Sequence, residues 1–407
     1  MNRNDLGQLL ILKVSELRWD SSLERSLGRL RPGGLVIDAP LTGGAGATRE
    51  FLIKLARAVT AVPFLAIREE GGPVDPLRAF LPPLPSPRAA AEKGPAAVNR
   101  LAERVGAALD RVGFNTDFAP LLDLAMPDDT RVFSPDPQQM AKCGAAFLDG
   151  LQLTSVLACG KHFPGLAGAQ SSSASGALLV SKSMAQLWRE DLVPYRALLP
   201  RLPLVLMSTA AYKAYDFDLP QSAGLSAKVV EGLLRVKLGY QGVAIAYGLE
   251  TQAVRGTLPL EEAAVHALRA GCDMLLLEKA EAAERVLAGL KAARGSGQLP
   301  TPRLEQAMRR VRLAKKGLKP PQGQLSRESL ERLAREFADF SSEFKGGGKP
   351  KFETQAQTPS PLPRGEGGLR RRSHQASQAG RGVASEARRD QTNACVNPKA
   401  THAWPRG

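Results

Sequence analysis

The sequence contains few cysteines and few aromatic residues: four Cys and 5% Phe, Trp and Tyr in 407 residues. The cysteines are far apart, form no C-x-x-C pair and have no histidine at the spacing of a zinc ligand. This pattern does not indicate a zinc site, and we expect neither a metal ion nor another cofactor. Buried free thiols are predicted at Cys143, Cys159, Cys272 and Cys395.

The sequence also lacks a long hydrophobic run, since no window of about 18 apolar residues is present. The N-terminal stretch MNRNDLGQLLILKVSELR has a short apolar run between charged residues and no small-residue cleavage site. These features indicate a strand rather than a secretion signal. We therefore expect a soluble cytoplasmic protein with no membrane partner.

Hydrophobic residues make up 43% of the chain and charged residues 23%, which is enough to form a large core. The formal net charge of +15 is unevenly distributed. Residues 346–407 contain eleven Lys or Arg and four acids, a net +7, which leaves +8 for the first 345 residues. Because this remainder is mild and no basic run with interleaved aromatics occurs in it, we expect no nucleic-acid partner for the folded part.

A low-complexity segment begins after Lys345 with GGGKP. It contains no stretch able to form an apolar face, so we predict that residues 346–407 are a disordered basic tail. Its phrase TPSPLPRGEG looks like translated intergenic repeat sequence. The alternative, a basic arm for RNA or lipid, draws support only from Arg370, Arg371 and Arg372.

In residues 1–345, short β-rich apolar runs alternate with helical patterns, which predicts one domain with a parallel sheet and crossover helices. Eight strands, most of them followed by a helix, favour an α/β fold of the (β/α)8 TIM-type barrel class, closed by C-terminal helices. The predicted strands are Gln8–Val14, Gly34–Asp38, Pro63–Ile67, Thr116–Leu122, Ser155–Phe163, Leu202–Ser208, Gly242–Tyr247 and Asp273–Glu278. The predicted helices are Ala97–Val112, Pro137–Leu151, Ser183–Leu199, Ser226–Leu238, Pro259–Ala270, Glu281–Arg294, Arg303–Lys316 and Ser326–Phe340.

In such a barrel the active site lies at the carboxyl ends of the strands. From about Leu6 to Lys316, this chain resembles the N-terminal barrel domain of glycoside hydrolase family 3, in particular the bacterial β-N-acetylhexosaminidases that trim muropeptide sugars. The phrases that carry the resemblance are GQLLILKV, PFLAIREEGGPV, GFNTDFAPLLDL, GKHFPG, LMSTAAY, LGYQGVAIAYGLE and ALRAGCDMLLL. The resemblance implies an amino-sugar or muropeptide ligand and a two-step retaining hydrolysis.

The chain departs from the family pattern at both catalytic places. The family's G-F-x-G-V-x-x-S-D-D-L aligns with Gly239–Leu249 and puts Tyr247 where the nucleophilic Asp stands. In the loop after KHFPG, Ser172 replaces the acid/base Asp and Ala174 its partner His. Neither replacement exchanges a proton near neutral pH, so we predict that hydrolysis is impaired.

The substrate-holding positions are partly changed. In the family's I-D-Q-E-G-G-R-V, the sugar-gripping Asp aligns with Arg68 and the Arg with Pro73. Four substrate-binding candidates remain from the family pattern, and structural pairing explains each of them as well: we expect Lys161 to pair with Asp123 or Asp117, and Arg131 to brace its loop through Asp128 or Asp136. The retained candidates are Lys161, His162, Arg131 and Asp123.

Three functions stay open. The first is a catalytically impaired family member that binds a sugar or regulates a partner. The second is an active glycosidase in which Tyr247 reacts with help from Glu69, Glu70 or Glu250, since some retaining glycosidases use a tyrosine nucleophile. The third is a protein that binds an anionic ligand, because Arg68, Lys161, Arg131 and His162 are expected at one mouth with few acids opposite.

Overall fold

The computed structural model of the protein describes residues 5–124, 129–171 and 176–344. Within these ranges no helix is both long and apolar enough to cross a membrane. The tail prediction for residues 346–407 and two positions of the predicted acid/base loop, Ser172 and Ala174, lie outside the described residues.

Parallel strands form a closed eight-stranded barrel, as the sequence predicts. The strands in chain order are β1 Leu10–Val14, β2 Gly34–Ile37, β3 Phe64–Ile67, β4 Thr116–Asp117, β5 Leu157–Phe163, β6 Gln170–Ser171, β7 Leu178–Val180, β8 Leu204–Met207, β9 Ala211–Tyr212, β10 Val243–Ala246 and β11 Met274–Leu277. The order around the barrel is β1-β11-β10-β8-β5-β4-β3-β2, while β6, β7 and β9 form a separate small sheet.

Helices follow most of the barrel strands. The α-helices are α1 Ser21–Leu30, α2 Gly44–Arg57, α3 Pro87–Glu92, α4 Pro95–Val112, α5 Pro137–Leu151, α6 Met184–Arg189, α7 Leu192–Leu198, α8 Gln252–Arg255, α9 Leu260–Ala270, α10 Ala280–Gly295, α11 Thr301–Ala314 and α12 Arg327–Ser342. A π-helix, Lys228–Lys237, follows β9, and Leu238 N–H bonds to the carbonyl of Leu233, five residues back. Short 3-10 helices span Leu6–Leu9, Pro76–Ala79 and Leu199–Arg201.

The barrel strands are buried on both faces. Every residue of β2, β3, β8, β10 and β11 is buried, because the barrel interior covers one side and the helices cover the other. Three of the predicted buried thiols, Cys143, Cys159 and Cys272, are buried and free. Cys395 lies outside the described residues.

Three of the differences between the predicted elements and the structure have a clear physical reason. The first strand starts at Leu10 because Leu6–Leu9 is a 3-10 helix. The predicted strand Thr116–Leu122 is regular only over Thr116–Asp117, since Pro120 has no N–H to extend the ladder. The predicted helix Ser183–Leu199 is broken after Arg189, where the ring of Pro194 would collide with the carbonyl of Glu190 in a continuous helix.

The amino ends of the strands close around one buried carboxylate. Asp273, directly before β11, is fully buried and accepts hydrogen bonds from Arg235 at 2.5 Å, Arg303 at 3.1 Å and Arg310 at 3.2 Å. Arg235 lies on the π-helix, and the other two arginines lie on α11. We call this cluster the floor of the barrel; it ties the helices below the strands to the sheet.

Candidate functional site

The carboxyl ends of the strands, which we call the mouth, bring together Lys161 of β5, Arg131 of the loop after β4 and Glu70 after β3. Lys161 Nζ lies 2.5 Å from Glu70 Oε1. Arg131 binds the same carboxylate through two bonds, Nε to Oε2 at 2.9 Å and Nη2 to Oε1 at 3.0 Å. Glu70 is therefore the shared partner of two cations.

This arrangement corrects two predicted pairings. Lys161, only 1% exposed, pairs with Glu70 and not with Asp123 or Asp117. Arg131 also uses Glu70 rather than Asp136, whose carboxylate instead caps α5; the other predicted partner, Asp128, lies outside the described residues. Burial by itself would raise the pKa of Glu70, but the neighbouring Lys161 and Arg131 overcome that effect and lower it.

His162 and Asp123 form a second pair at the mouth. His162 Nδ1 lies 2.7 Å from Asp123 Oδ2, and the other oxygen of Asp123 accepts the backbone N–H groups of His162 at 3.2 Å and Leu166 at 3.0 Å. The carboxylate therefore fixes both the imidazole and the start of the loop after β5. With Nδ1 engaged, Nε2 is the ring atom left to meet a ligand.

Tyr247 follows β10 and lies against His162. The two rings are stacked, with centroids 5.9 Å apart and an interplanar angle of 29°. Burial raises the pKa of the Tyr247 hydroxyl, and the negative charge of Asp123 raises it further. A hydrogen bond with Thr209 lowers it, but the overall shift is upwards. A raised pKa makes the phenolate harder to form, which is the reverse of what a nucleophile requires.

The three glutamates proposed to assist Tyr247 are engaged elsewhere. Glu70 holds Lys161 and Arg131. The Glu69 side chain is fully buried and accepts two backbone N–H groups of its own loop at 2.8 and 3.2 Å. Glu250 Oε1 accepts the N–H groups of residues 278 and 279, just before α10. These contacts weaken the hypothesis of an active glycosidase that uses the tyrosine.

Arg68 is half-exposed and forms an ion pair with Asp38 after β2. Lys13 of β1 lies 2.9 Å from the other oxygen of Asp38. Burial would raise the pKa of Asp38, but Lys13 and Arg68 lower it. The expectation of few acids opposite the cations is therefore wrong: Arg68, Lys161, Arg131 and His162 each have a carboxylate partner.

A cavity of about 560 Å³ opens beside these pairs. Asp123, Arg131 and His162 lie in its wall, and the loop after β5 contributes apolar residues. Lys182 and Glu190 also line it; they form an ion pair at 2.9 Å that sequence reasoning missed, and no recognisable motif marks them. Tyr247 and Arg68 do not line this cavity. Among the described residues, no group of three or more His, Cys, Asp or Glu is placed to hold a metal ion.

The comparisons with known proteins agree with the barrel fold. Residues 3–314 match the model of the glycosyl hydrolase family 3 N-terminal domain. A β-hexosaminidase of Pseudomonas aeruginosa is 32% identical over 268 residues, covering 64% of this chain and 79% of that protein. The β-hexosaminidase LpqI of Mycobacterium tuberculosis is 30% identical over 324 residues, covering 76% and 81%. The crystal structure of the β-N-acetylglucosaminidase from Thermotoga maritima superposes with a TM-score of 0.70 at 27% identity, covering 77% of this chain and 68% of that chain.

Proposed function

Because the chain belongs to glycoside hydrolase family 3 and is similar to its β-N-acetylhexosaminidases, we propose that it binds an amino sugar at its mouth and hydrolyses glycosides poorly or not at all. A muropeptide fragment is the ligand class that the family resemblance suggests. The feature that carries the proposal is Tyr247, which follows β10 at the position that the family resemblance aligns with the nucleophilic Asp.

The contacts of Tyr247 support the loss of the chemical step. Most retaining glycosidases use two carboxyl groups about 5–5.5 Å apart, one as nucleophile and one as acid/base. Here the aligned nucleophile position holds a phenol that stacks on His162 and whose pKa burial raises. The carboxylates of Glu70 and Asp123 are held by cations and backbone N–H groups, so neither is free to attack a sugar.

The pairs at the mouth support the retained binding. Arg131 is partly exposed and lines the cavity, and His162 Nε2 is not used by the Asp123 contact. Both can bond to sugar hydroxyls without breaking the ion pairs that orient them. The cavity has a volume of about 560 Å³, which lies within the usual range of about 300–1,000 Å³ for small-molecule sites. The anionic-ligand alternative gains little support, since every one of these cations contacts a carboxylate, although Lys161 and Arg131 share that of Glu70.

The test is turnover of 4-nitrophenyl N-acetyl-β-D-glucosaminide and of the corresponding β-glucoside, measured beside an active family 3 β-N-acetylglucosaminidase. We expect the rate to be at least about 10⁴-fold below that of the active enzyme, which is the size of loss that follows removal of reacting groups elsewhere. A rate comparable to that of the active enzyme would refute the proposal.

A further inference from the structure

A lysine and two consecutive acids meet beside the cavity and take no part in the contacts proposed so far. Lys182 follows β7, and its Nζ lies 2.6 Å from Asp191 Oδ2 and 2.9 Å from Glu190 Oε2. Consecutive residues of a continuous helix point about 100° apart around its axis, which would separate two such side chains. Here the helix is broken after Arg189, and Glu190 has a non-helical φ of −118° and ψ of −90°. The break therefore lets both carboxylates converge on one ammonium group.

The two acids have different surroundings. The Asp191 side chain is fully buried, whereas that of Glu190 is 44% exposed and lines the cavity. Asp191 lies directly behind the loop after β5, since a Cβ added to Gly165 would come within 2.7 Å of the Asp191 Cβ. Protein therefore encloses Asp191, which can anchor the ammonium but cannot meet a ligand. Glu190 remains open to the cavity.

The side chain of Lys182 reaches the cavity along the loop after β5. A Cβ added to Gly168 would lie 3.6 Å from Lys182 Cε, so the aliphatic part of the lysine runs beside this loop. An ammonium group has three N–H donors, and the two carboxylates take two of them. Within the described residues, no third acceptor bonds to this group and no donor bonds to Glu190 Oε1. One N–H and one carboxylate oxygen are therefore available to a ligand.

The charges of this group favour an uncharged ligand. One ammonium faces two carboxylates, so no surplus positive charge is present to attract an anion. A ligand ammonium group that approached Glu190 would be repelled by the adjacent Lys182. A hydroxyl or a secondary amide can both accept a hydrogen bond from Lys182 and donate one to Glu190. Apolar residues of the loop after β5 line the same cavity and can pack against carbon atoms beside such a group: Leu166, Ala167 and Ala169.

We propose that Lys182 and Glu190 form a binding site for an uncharged hydroxyl or amide group of the ligand. Lys182 donates one N–H to this group, Glu190 accepts a hydrogen bond from it, and Asp191 holds Lys182 in place. The site makes the cavity selective for neutral substituents over charged ones. The proposal rests on the proposed function, because it adds these two residues to Arg131 and His162 in the same cavity.

The first test is the affinity for N-acetylglucosamine, measured by calorimetry with wild type and Glu190→Ala. The variant keeps the buried pair of Lys182 and Asp191 and loses one hydrogen bond to a charged group, so we expect binding about tenfold weaker. Asp149→Ala is the matched control, because it removes an exposed acid from an ion pair with Arg201. The control should bind like wild type. Equal affinity of Glu190→Ala and wild type would overturn the proposal.

A second test separates ligand binding from a structural role through charge. Glucosamine has an ammonium in place of the acetamido group at a pH where its amine is protonated, and wild type should prefer N-acetylglucosamine. Lys182→Met removes the positive charge and leaves both carboxylates, so the ratio of the two affinities should shift toward glucosamine by about tenfold. Urea unfolding checks that the variant is folded, since buried Asp191 loses its partner. A folded variant with the wild-type ratio would contradict the proposal.

Glucose distinguishes the two neutral groups, since it has a hydroxyl where N-acetylglucosamine has the acetamido group. If the site binds the amide, Glu190→Ala weakens the binding of N-acetylglucosamine alone. If the site binds a hydroxyl that both sugars share, the substitution weakens both equally. Either result supports the site, and a variant that binds both sugars as wild type does refutes it.

The failure of this proposal can be told from the failure of the proposed function. If wild type and Glu190→Ala bind N-acetylglucosamine equally, the site is refuted and the proposed function stands. If wild type binds none of the sugars, the proposed function fails, and N-acetyl-L-alanine N-methylamide, an amide without a sugar, tests the site. Binding of this amide that is weaker in Glu190→Ala and in Lys182→Met supports the site, and no binding overturns it.

Discussion

The two ends of the barrel treat charge differently. At the floor, a single carboxylate, Asp273, holds three arginines, and the whole cluster is largely removed from water. At the mouth, cations and acids form smaller groups, such as Arg68 with Asp38 and His162 with Asp123, and several of these side chains remain partly exposed. The floor charges are enclosed by the fold, while several mouth charges remain open to solvent.

Several guanidinium N–H groups at the floor bond to backbone carbonyl groups. Arg235 donates to the carbonyls of Tyr240 and Gly242 at 2.9 and 2.8 Å, and Arg303 donates to that of Leu268 at 2.8 Å. Such contacts fix helices relative to strands and leave little for a solute. The arginines of the floor therefore show that a cluster of arginines in this fold is not by itself evidence of an anion-binding site.

The largest effect is expected from Asp273→Ala. It would leave Arg235, Arg303 and Arg310 without their carboxylate in a buried site, where breaking an ion pair costs about 3–5 kcal/mol, and we expect the upper end of that range. The free energy of unfolding from urea titrations measures the loss. Asp149→Ala, which removes a surface partner of Arg201, is the control and should cost at most about 1 kcal/mol. Equal losses of unfolding free energy in the two variants would show that the buried carboxylate of the floor contributes no more than a surface carboxylate.

Glu70→Gln should have the next largest effect and should act on both stability and binding. It leaves the buried ammonium of Lys161 without its counter-ion, for which we expect a loss of about 3 kcal/mol. The double variant Glu70→Gln with Lys161→Met removes both charges and should be more stable than Glu70→Gln alone. A double-mutant cycle in urea measures the coupling, and additive losses would show that the pair does not interact.

Lys315, which lies outside the floor cluster, should also make stability depend on pH; it donates to the side chain of Gln8 at 3.1 Å. Burial lowers the pKa of Lys315 to about 7 from 10.5, so above pH 7 the folded form is neutral while the unfolded form still binds a proton. Stability therefore rises with pH between these two values. Lys315→Met should remove this rise, which is smaller than about 1.4 kcal/mol per pH unit because the side chain is partly exposed. Unfolding curves at several pH values measure this rise. The same pH dependence of stability in wild type and Lys315→Met would contradict the lowered pKa of Lys315.

The smallest effect is expected from Arg68→Ala at the rim of the mouth. Its ion pair with Asp38 is half-exposed, and such pairs contribute about 0–1 kcal/mol. We expect the affinity for N-acetylglucosamine 6-phosphate to equal that for N-acetylglucosamine, with or without Arg68. A clear preference for the phosphorylated sugar that disappears in Arg68→Ala would restore the anionic-ligand hypothesis.

The barrel could be predicted from sequence because each strand is a short apolar run buried on both faces, as in Val243–Ala246 and Met274–Leu277. The residues of the mouth could also be predicted, since they follow the strands. Their partners could not: Lys161 had several acids within reach of its strand end, and only the path of the turn after β3 brings Glu70 to it. The break before α7 could have been found from Pro194, which lacks the N–H that a continuous helix needs.

The central claim is that the mouth binds an amino sugar without hydrolysing it. Calorimetric titration of wild type with 4-nitrophenyl N-acetyl-β-D-glucosaminide tests both halves at once, because binding gives heats that saturate and turnover gives heat that continues after each injection. We predict saturating heats that return to the baseline and that are weakened in Glu70→Gln. Sustained heat after each injection, or no heat at all, would contradict the account.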